Sequence, residues 1–398
     1  MQKKQREQVF RDPIYGYIHI NYEIITKLID TSIFQRLRRI RQLSGVHMVF
    51  HTAEHTRFSH SLGVYEVANK YLEISEIKNS LNQREQLMLL VAALLHDIGH
   101  GPYSHAFEHT FKVDHEKIGA TLILEHPELR KILDQVDLDF ANDVAAVILR
   151  KSKYPIIEQM ISSQLDADRL DYLERDAYFT GAAYGHIDLD RLLRVATVIN
   201  NQIVYKVSGV PAIENFLLSR AHMHYQVYYH PKARAYEAIL EKIYLRTKDL
   251  LETNFIFQTD VEPLRAILHD PNDYMAYLQI DDFYMNGLIS RFVRCDDEIL
   301  RTLANDFLNR KIWKFIDVNA NDKKLIDKIK ESFSADELKY FTAQNQVSVT
   351  TYKESGKHQA IMILLENGKI VKLSEYSTIM HTVSLTNPKI DTKFFYKR

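Results

Sequence analysis

Histidine crowds into one stretch of this chain. Ten of its 18 histidines, at positions 47, 51, 55, 60, 96, 100, 105, 109, 115 and 126, fall between His47 and His126. A polar helical patch accounts for such density, and so does a site that uses imidazole as ligand, acid or base. The pair His96-Asp97 follows the most apolar run of the sequence, Leu87 to Leu95. A histidine beside an aspartate where a buried helix emerges offers one nitrogen and one oxygen ligand on a rigid support. Upstream, His60 closes the run His55-Thr56-Arg57-Phe58-Ser59-His60. Downstream, Asp168, Tyr172 and Asp176 stand at i, i+4 and i+8, which puts them on one face of a helix with Arg169 at its edge. Taken alone, that segment reads equally well as a solvated acidic face with arginine pairs.

The elements that must hold these residues are mostly helices. Ile24, Ile25, Leu28, Ile29, Leu37, Ile40 and Leu43 recur at helical spacing with one break near Asp30-Thr31, and either residue suits the cap of the second helix. Arg84 to His96 reads as a strongly apolar helix stopped by Gly99, Gly101 and Pro102. Residues 156–177, 213–229 and 234–251 also read as helices. The last stretch differs: residues 346–352, 359–365 and 369–373 are β-prone, with a hairpin signal at Glu366-Asn367-Gly368-Lys369. The expected fold is therefore mainly α, with a small C-terminal α+β region.

Composition narrows the class. Hydrophobic residues at 46% and charged residues at 26% suit a globular protein with a substantial core. A formal net charge of −1 provides no overall field toward nucleic acid or anionic membrane, so phosphate binding would fall to local clusters. Cys295 is the only cysteine, which excludes an internal disulfide and makes a reducing cytoplasm the expected setting. The nine-residue apolar run is too short to span a membrane, and the polar start Met1 to Glu7 does not read as a signal peptide.

The order His60, His96-Asp97, Asp168 resembles the H…HD…D signature of the HD superfamily. The surrounding words resemble its deoxynucleoside triphosphate triphosphohydrolases, which include an animal enzyme fused to a SAM domain and bacterial relatives. They are Phe10-Arg11-Asp12-Pro13-Ile14-Tyr15-Gly16, Phe34-Gln35-Arg36-Leu37-Arg38, Gln42-Leu43, Arg57-Phe58-Ser59-His60-Ser61-Leu62-Gly63-Val64, His96-Asp97-Ile98-Gly99-His100-Gly101-Pro102-Tyr103-Ser104-His105 and Asp168-Arg169-Leu170-Asp171-Tyr172. They run in order across about residues 9 to 235, whereas residues 320 to 398 carry no usable motif. The resemblance implies an HD-domain helical body over 1–320, with a regulatory segment in 1–45, and an α+β region over 321–398.

It also implies roles residue by residue. His60, His96, Asp97 and Asp168 would hold one divalent ion per site, Mg, Mn, Fe or Zn, and water would attack the α-phosphorus to release deoxynucleoside and triphosphate. His115 matches the acid that protonates the leaving 5′-oxygen, Glu108 its orienting carboxylate (where the family usually has Asp), and His105 a histidine contacting phosphate or water. Arg57, Arg169 and Arg220 match triphosphate contacts. Gln42, Leu43 and Asp176 match groups around the sugar, the first and last bonding its 3′-hydroxyl. Tyr172 and Tyr228 match aromatics packed on the sugar, Tyr228 crowding the 2′ position. Asp30, Gln35 and Arg38 match a site for a guanine nucleotide, GTP or dGTP, between subunits of a homo-oligomer built as a dimer of dimers. Arg36, Arg38, Arg39 and Arg41 equally suit a solvated helix face, and Arg11 replaces a usual Asn.

Two alternatives stand beside this reading. One is an HD enzyme acting on another phosphorylated substrate, such as a nucleoside monophosphate or cyclic nucleotide. The other is a module that senses nucleotide or single-stranded nucleic acid without turnover.

Overall fold

A computed structural model describes residues 3–319, 322–354 and 360–398, with the side chains of residues 3–7 and 105 outside that description. Its centre is the helix Gln83–Leu95. Every residue from Leu87 to Leu95 is buried, as a helix apolar on all sides requires. Asn82 caps it: the side chain accepts from the Glu85 amide at 3.0 Å while Glu85 reaches back to the Asn82 amide at 2.9 Å. The helix ends as it leaves the core, placing His96 and Asp97 at its C-terminal mouth.

The helix Arg57–Tyr71, which carries His60, packs on this central helix, and Ala167–Thr180, which carries Asp168, packs on Arg57–Tyr71 in turn. Two glycines set these approaches. A Cβ on Gly63 would lie 1.8 Å from Asp171 Oδ1 and 2.4 Å from Arg175 Nη2. A Cβ on Gly99 would lie 2.1 Å from the His115 carbonyl, where the helix His115–Glu125 crosses the loop after Asp97.

Residues 156–177, expected as one helix, form two, Pro155–Ile161 and Ala167–Thr180. Asp166 makes the break by accepting from the amides of Arg169 at 2.8 Å and Ser163 at 2.7 Å, a side-chain competition with continued helix. The second helix therefore starts beside Asp168. Near the N-terminus the helical pattern is also divided, into Glu23–Ile29, Ser32–Arg36 and a 3₁₀ turn at Leu37–Arg39. Thr31 caps the second of these through Phe34 N at 3.2 Å, and Asp30 closes the first. The other helices expected run Val210–Met223, continued by a π-helical turn His224–Tyr228, and Pro231–Glu252.

Three small sheets complete the fold, of which the C-terminal β-prone stretches and their hairpin were expected and the other strands were not. Strands β1 (Lys3–Asp12) and β2 (Gly16–Tyr22) form an N-terminal hairpin with Asp12 opposite Gly16. Strands β3 (Ala196–Ile199) and β4 (Gln202–Lys206) lie inside the helical body. The remaining strands are β5 (Lys314–Asp317), β6 (Thr342–Val349), β7 (Met362–Leu364), β8 (Ile370–Lys372) and β9 (Lys389–Tyr396). The expected hairpin is β7–β8, with Gly368 at φ +82° in its turn. One sheet runs β3-β4-β7-β8 with β4 and β7 parallel, and the other β5-β9-β6. Both draw strands from either side of residue 320, so the α+β region is joined to the helical body by main-chain pairing.

The crowding at Gly63 sets a stability test. Gly63→Ala is expected to lower unfolding free energy by ~1–3 kcal/mol through overpacking against Asp171 and Arg175. Gly287→Ala, in the helix Asp282–Phe292 where an added Cβ meets nothing within 4 Å, is expected to raise it by up to ~1 kcal/mol. Urea titrations of the two variants check the contrast.

Candidate active site

His60, His96 and Asp97 converge with ligand atoms all within 4.8 Å of one another. Asp168 joins them, its Oδ1 lying 3.0 Å from His60 Nε2 and 3.8 Å from His96 Nε2. Each imidazole is oriented through its other nitrogen. His60 Nδ1 donates to Asp171 Oδ2 at 2.7 Å, and His96 Nδ1 to the Ala93 carbonyl at 2.8 Å. Both Nε2 atoms are buried without a hydrogen-bond partner among the described residues. Two orphaned imidazole nitrogens facing two carboxylates is an arrangement a divalent cation satisfies, and the donor set is borderline enough to suit several.

The electrostatics agree. Burial alone would drive His60 toward neutrality, but Asp168, Asp171 and Asp97 overcome it and hold a proton there up to about 10. That location favours positive charge, whichever cation supplies it. Burial would raise Asp97; Arg57, His96 and His100 outweigh this and keep its carboxyl well below the usual range.

Asp171, which carries no role expected from the motif, lies behind His60. It is fully buried, and besides His60 it accepts from Arg175 Nε and Nη2, both at 2.9 Å, and from the Tyr15 hydroxyl at 2.9 Å. Arg175 Nη1 continues to Asp12 at 2.8 Å, so the β1–β2 turn is tied to the orientation of a metal-facing histidine. The i, i+4 spacing of Asp171 and Arg175 is the signal that was available.

Beyond Asp97, His100 Nε2 sits 3.2 Å from Asp97 Oδ1, and the His100 ring stacks on His115 at 3.8 Å. His115 Nδ1 lies 2.9 Å from Glu108 Oε1, so the longer Glu arm makes the contact. The stacked rings are driven apart in charge. Burial, then Arg57, lower His100 to about 3, whereas burial, the largest influence on His115, is overcome by the Glu108 hydrogen bond together with the charges of Glu108 and Asp97, so that its pKa is raised. His105 begins the helix His105–Phe111, and its side chain lies outside the described residues. Ser104, just before it, takes φ +43° with ψ −106°, a strained positive-φ conformation at the turn beside the site.

A cleft of about 260 Å³ gathers Gln42, Arg57, His96, Asp97, His115, Asp168 and Tyr172. Gln42 Oε1 is buried there without a hydrogen-bond partner among the described residues, whereas Leu43 is buried in the core. Arg57 bonds Asp97 and, at 2.6 Å, Ser104 Oγ. Arg169 and Arg220 line a second cleft of about 210 Å³, and Arg169 is the residue next to Asp168 of the first. Tyr172 and Tyr228 meet edge to face at 6.2 Å. Asp176 has both oxygens engaged, by His55 at 2.8 Å and the Tyr228 hydroxyl at 2.7 Å.

In the N-terminal cluster, Gln35 Oε1 accepts from Arg38 Nε at 2.8 Å, and Asp30 is exposed at the end of the preceding helix. Arg38 lies 3.5 Å over the Phe58 ring, next in sequence to Arg57. The solvated arginine face expected here does not include Arg36. Only 2% exposed, it donates to the carbonyls of His100 at 2.8 Å and Ile280 at 2.6 Å, fastening the loop after Asp97.

The HD domain family matches residues 57–176, and the HD associated region matches residues 187–389. The chain belongs to the HD domain family, whose members are metal-dependent phosphohydrolases. The Bacillus subtilis protein YwfO, itself described as uncharacterized, is 37% identical over 407 residues, which cover 100% of this chain and 93% of that one. The human deoxynucleoside triphosphate triphosphohydrolase SAMHD1 is 27% identical across 78% of this chain and 55% of its own length. Among solved structures, a phosphohydrolase from Bacteroides thetaiotaomicron superposes with a TM-score of 0.87 at 28% identity, covering 99% of this chain and 100% of that one. No helix among the described residues is long and apolar enough to cross a membrane.

Because a metal must displace the proton on His60, apparent Mn²⁺ affinity is expected to rise with pH between 6 and 8, by up to about tenfold per unit. Calorimetry in buffers of different ionisation enthalpy counts the proton released; a pH-independent affinity would remove His60 from the site. Asp171→Asn is expected to weaken metal binding by about 10–100-fold and, by taking a counter-charge from the buried Arg175, to lower the thermal midpoint as well; circular dichroism melts read the second effect and calorimetry the first.

Proposed function

We propose that this chain hydrolyses deoxynucleoside triphosphates to deoxynucleoside and triphosphate. What carries the reading is that three of the four candidate metal ligands, His96, Asp97 and Asp168, share one cleft with His115, whose proton affinity is raised, and with Gln42, Arg57 and Tyr172. The likeness to proteins named deoxynucleoside triphosphate triphosphohydrolases supports it.

A divalent ion held by His60, His96, Asp97 and Asp168 would polarise the α-phosphoryl group and acidify a water. His115 holds its proton against burial through Glu108 and gives it to the departing 5′-oxygen; because Nδ1 faces Glu108, Nε2 is the donating atom. His100 stays neutral beside it, so the pair does not place two full charges in contact. His105 contacts phosphate or water. Arg57, Arg169 and Arg220 neutralise the phosphate chain, their planar forks suiting its oxygens. Gln42, Leu43 and Asp176 border the sugar, and Asp176 and Tyr228 act there as one hydrogen-bonded unit. Tyr172 and Tyr228 pack the sugar face, with Tyr228 excluding a 2′-hydroxyl.

Residues 1–45 form a regulatory segment in which Asp30, Gln35 and Arg38 read a guanine nucleotide between subunits of a homo-oligomer. Arg38 on Phe58 and Arg175 on Asp12 are the routes by which such binding would reach the metal ligands.

Incubation with each deoxynucleoside triphosphate and Mn²⁺ or Mg²⁺, with and without GTP or dGTP, is expected to yield deoxynucleoside and intact triphosphate by chromatography. Orthophosphate as the sole phosphate product would reject the reaction. His115→Gln is expected to lower kcat by about 10²–10⁴ without loss of metal binding. In the wild type, kcat is expected to fall as pH rises through the His115 pKa, which lies above the ordinary imidazole value of about 6.5, since the protonated form is the donor.

A further inference from the structure

Arg220 is an unusual charge. It is 6% exposed, and its guanidinium donates only to two main-chain carbonyls, Gln164 at 3.4 Å and Thr351 at 2.8 Å. No carboxylate lies within ion-pair distance of it among the described residues. A guanidinium taken out of water without an anion is costly, and Arg169 nearby adds repulsion rather than relief. Close by, the Nδ1 atom of His224 is buried with no hydrogen-bond partner among the described residues. Burial, with Arg220 and Arg169, keeps that ring neutral, so it retains one N–H to donate. The opposite wall of this cleft is Ser348, Thr350 and Lys353, all exposed, at the end of β6 and just beyond it. Main-chain contacts fasten this wall to the helical body: Thr351 O accepts from Arg220, and Lys353 O from Gln164 Nε2 at 2.8 Å.

Asp168 lines the first cleft and its neighbour Arg169 the second, and Tyr172 of the first lies close enough to feel the charges of both Arg169 and Arg220. A phosphate chain anchored at its α end by the metal cradle therefore has this cationic cleft ahead of it. We infer that the segment Ser348–Lys353 is the far wall of the substrate site, and that Lys353, with Arg169, Arg220 and the His224 N–H, holds the terminal phosphate of a nucleoside triphosphate. The cleft then gauges the length of the phosphate chain, since a mono- or diphosphate anchored at the metal leaves Lys353 unreached. This inference rests on the nucleoside triphosphate reading above.

The test is equilibrium binding of inorganic tripolyphosphate, pyrophosphate and orthophosphate to the full chain, with Mn²⁺ in excess over both. Wild type is compared with Lys353→Ala, Lys353→Glu and Lys353→Arg. Lys353 is exposed, and thermal melting confirms that each variant folds. Tripolyphosphate is expected to bind tightest, to weaken about tenfold in Lys353→Ala and further in Lys353→Glu, and to recover in Lys353→Arg. Tripolyphosphate affinity unchanged in both the Ala and Glu variants overturns the inference. Parallel assays with deoxynucleoside triphosphates separate the two readings. Turnover with Lys353-independent tripolyphosphate binding sinks the terminal-phosphate site alone. Lys353-dependent binding without turnover of any deoxynucleoside triphosphate sinks the substrate reading and upholds an oligophosphate site.

Discussion

A carboxylate with no access to water sits at the root of this molecule. Asp171 is fully buried, and its charge is tolerable only because two Arg175 nitrogens, the Tyr15 hydroxyl and the His60 ring donate to it together. Removing any donor leaves an incompletely compensated charge in the core. The same four contacts fix the rotation of His60, hold the helices Arg57–Tyr71 and Ala167–Thr180 in register, and pull in the N-terminal hairpin through Arg175 and Asp12. Gly63 is the steric counterpart, since nothing larger fits between those helices at that level. The metal cradle inherits its geometry from this network rather than from its own ligands, which sit around a point of unfavourable bare charge.

Two histidines in van der Waals contact show how finely the surroundings sort charge. His100 and His115 stack in parallel, yet Arg57 and deep burial disfavour a proton on the first, while Glu108 favours one on the second. A ring kept neutral beside Asp97 and a ring of raised proton affinity further out separate the two histidines by their preference for a proton. The strained backbone at Ser104 lies between the two, at the N-cap of the helix that carries Glu108.

Much of the metal centre could be read from the chain itself. His96-Asp97 at the end of an all-apolar run could only emerge from the core as it does, and the i, i+4 pattern of Asp168 and Tyr172 placed both on the cleft. What escaped the reading has a common physical cause. Asp166 ends a helix by a local hydrogen-bond competition that hydrophobic periodicity does not register. Arg36 resembles its surface neighbours in composition, but its burial depends on carbonyls far along the chain. The strands β3 and β4 are short and buried within helical surroundings, and the partner of β4 is β7, a pairing that no local pattern announces. Thr351 and Lys353 contribute through main-chain atoms or an exposed side chain, so they left no motif.

The parallel pairing of β4 with β7 bears on how the chain matures during synthesis. Tyr205 and Ile363 are adjacent in that ladder but widely separated along the polypeptide. A ribosome can release the whole histidine-bearing region, free to collapse, well before the strand that joins it has been made. Until then Arg220 lacks its Thr351 acceptor, and β4 presents an unpaired edge open to other chains. The nascent protein thus passes through an interval in which its phosphohydrolase centre exists without its far wall, and the late closing of that edge is a slow, long-range step of the kind that chaperones shelter.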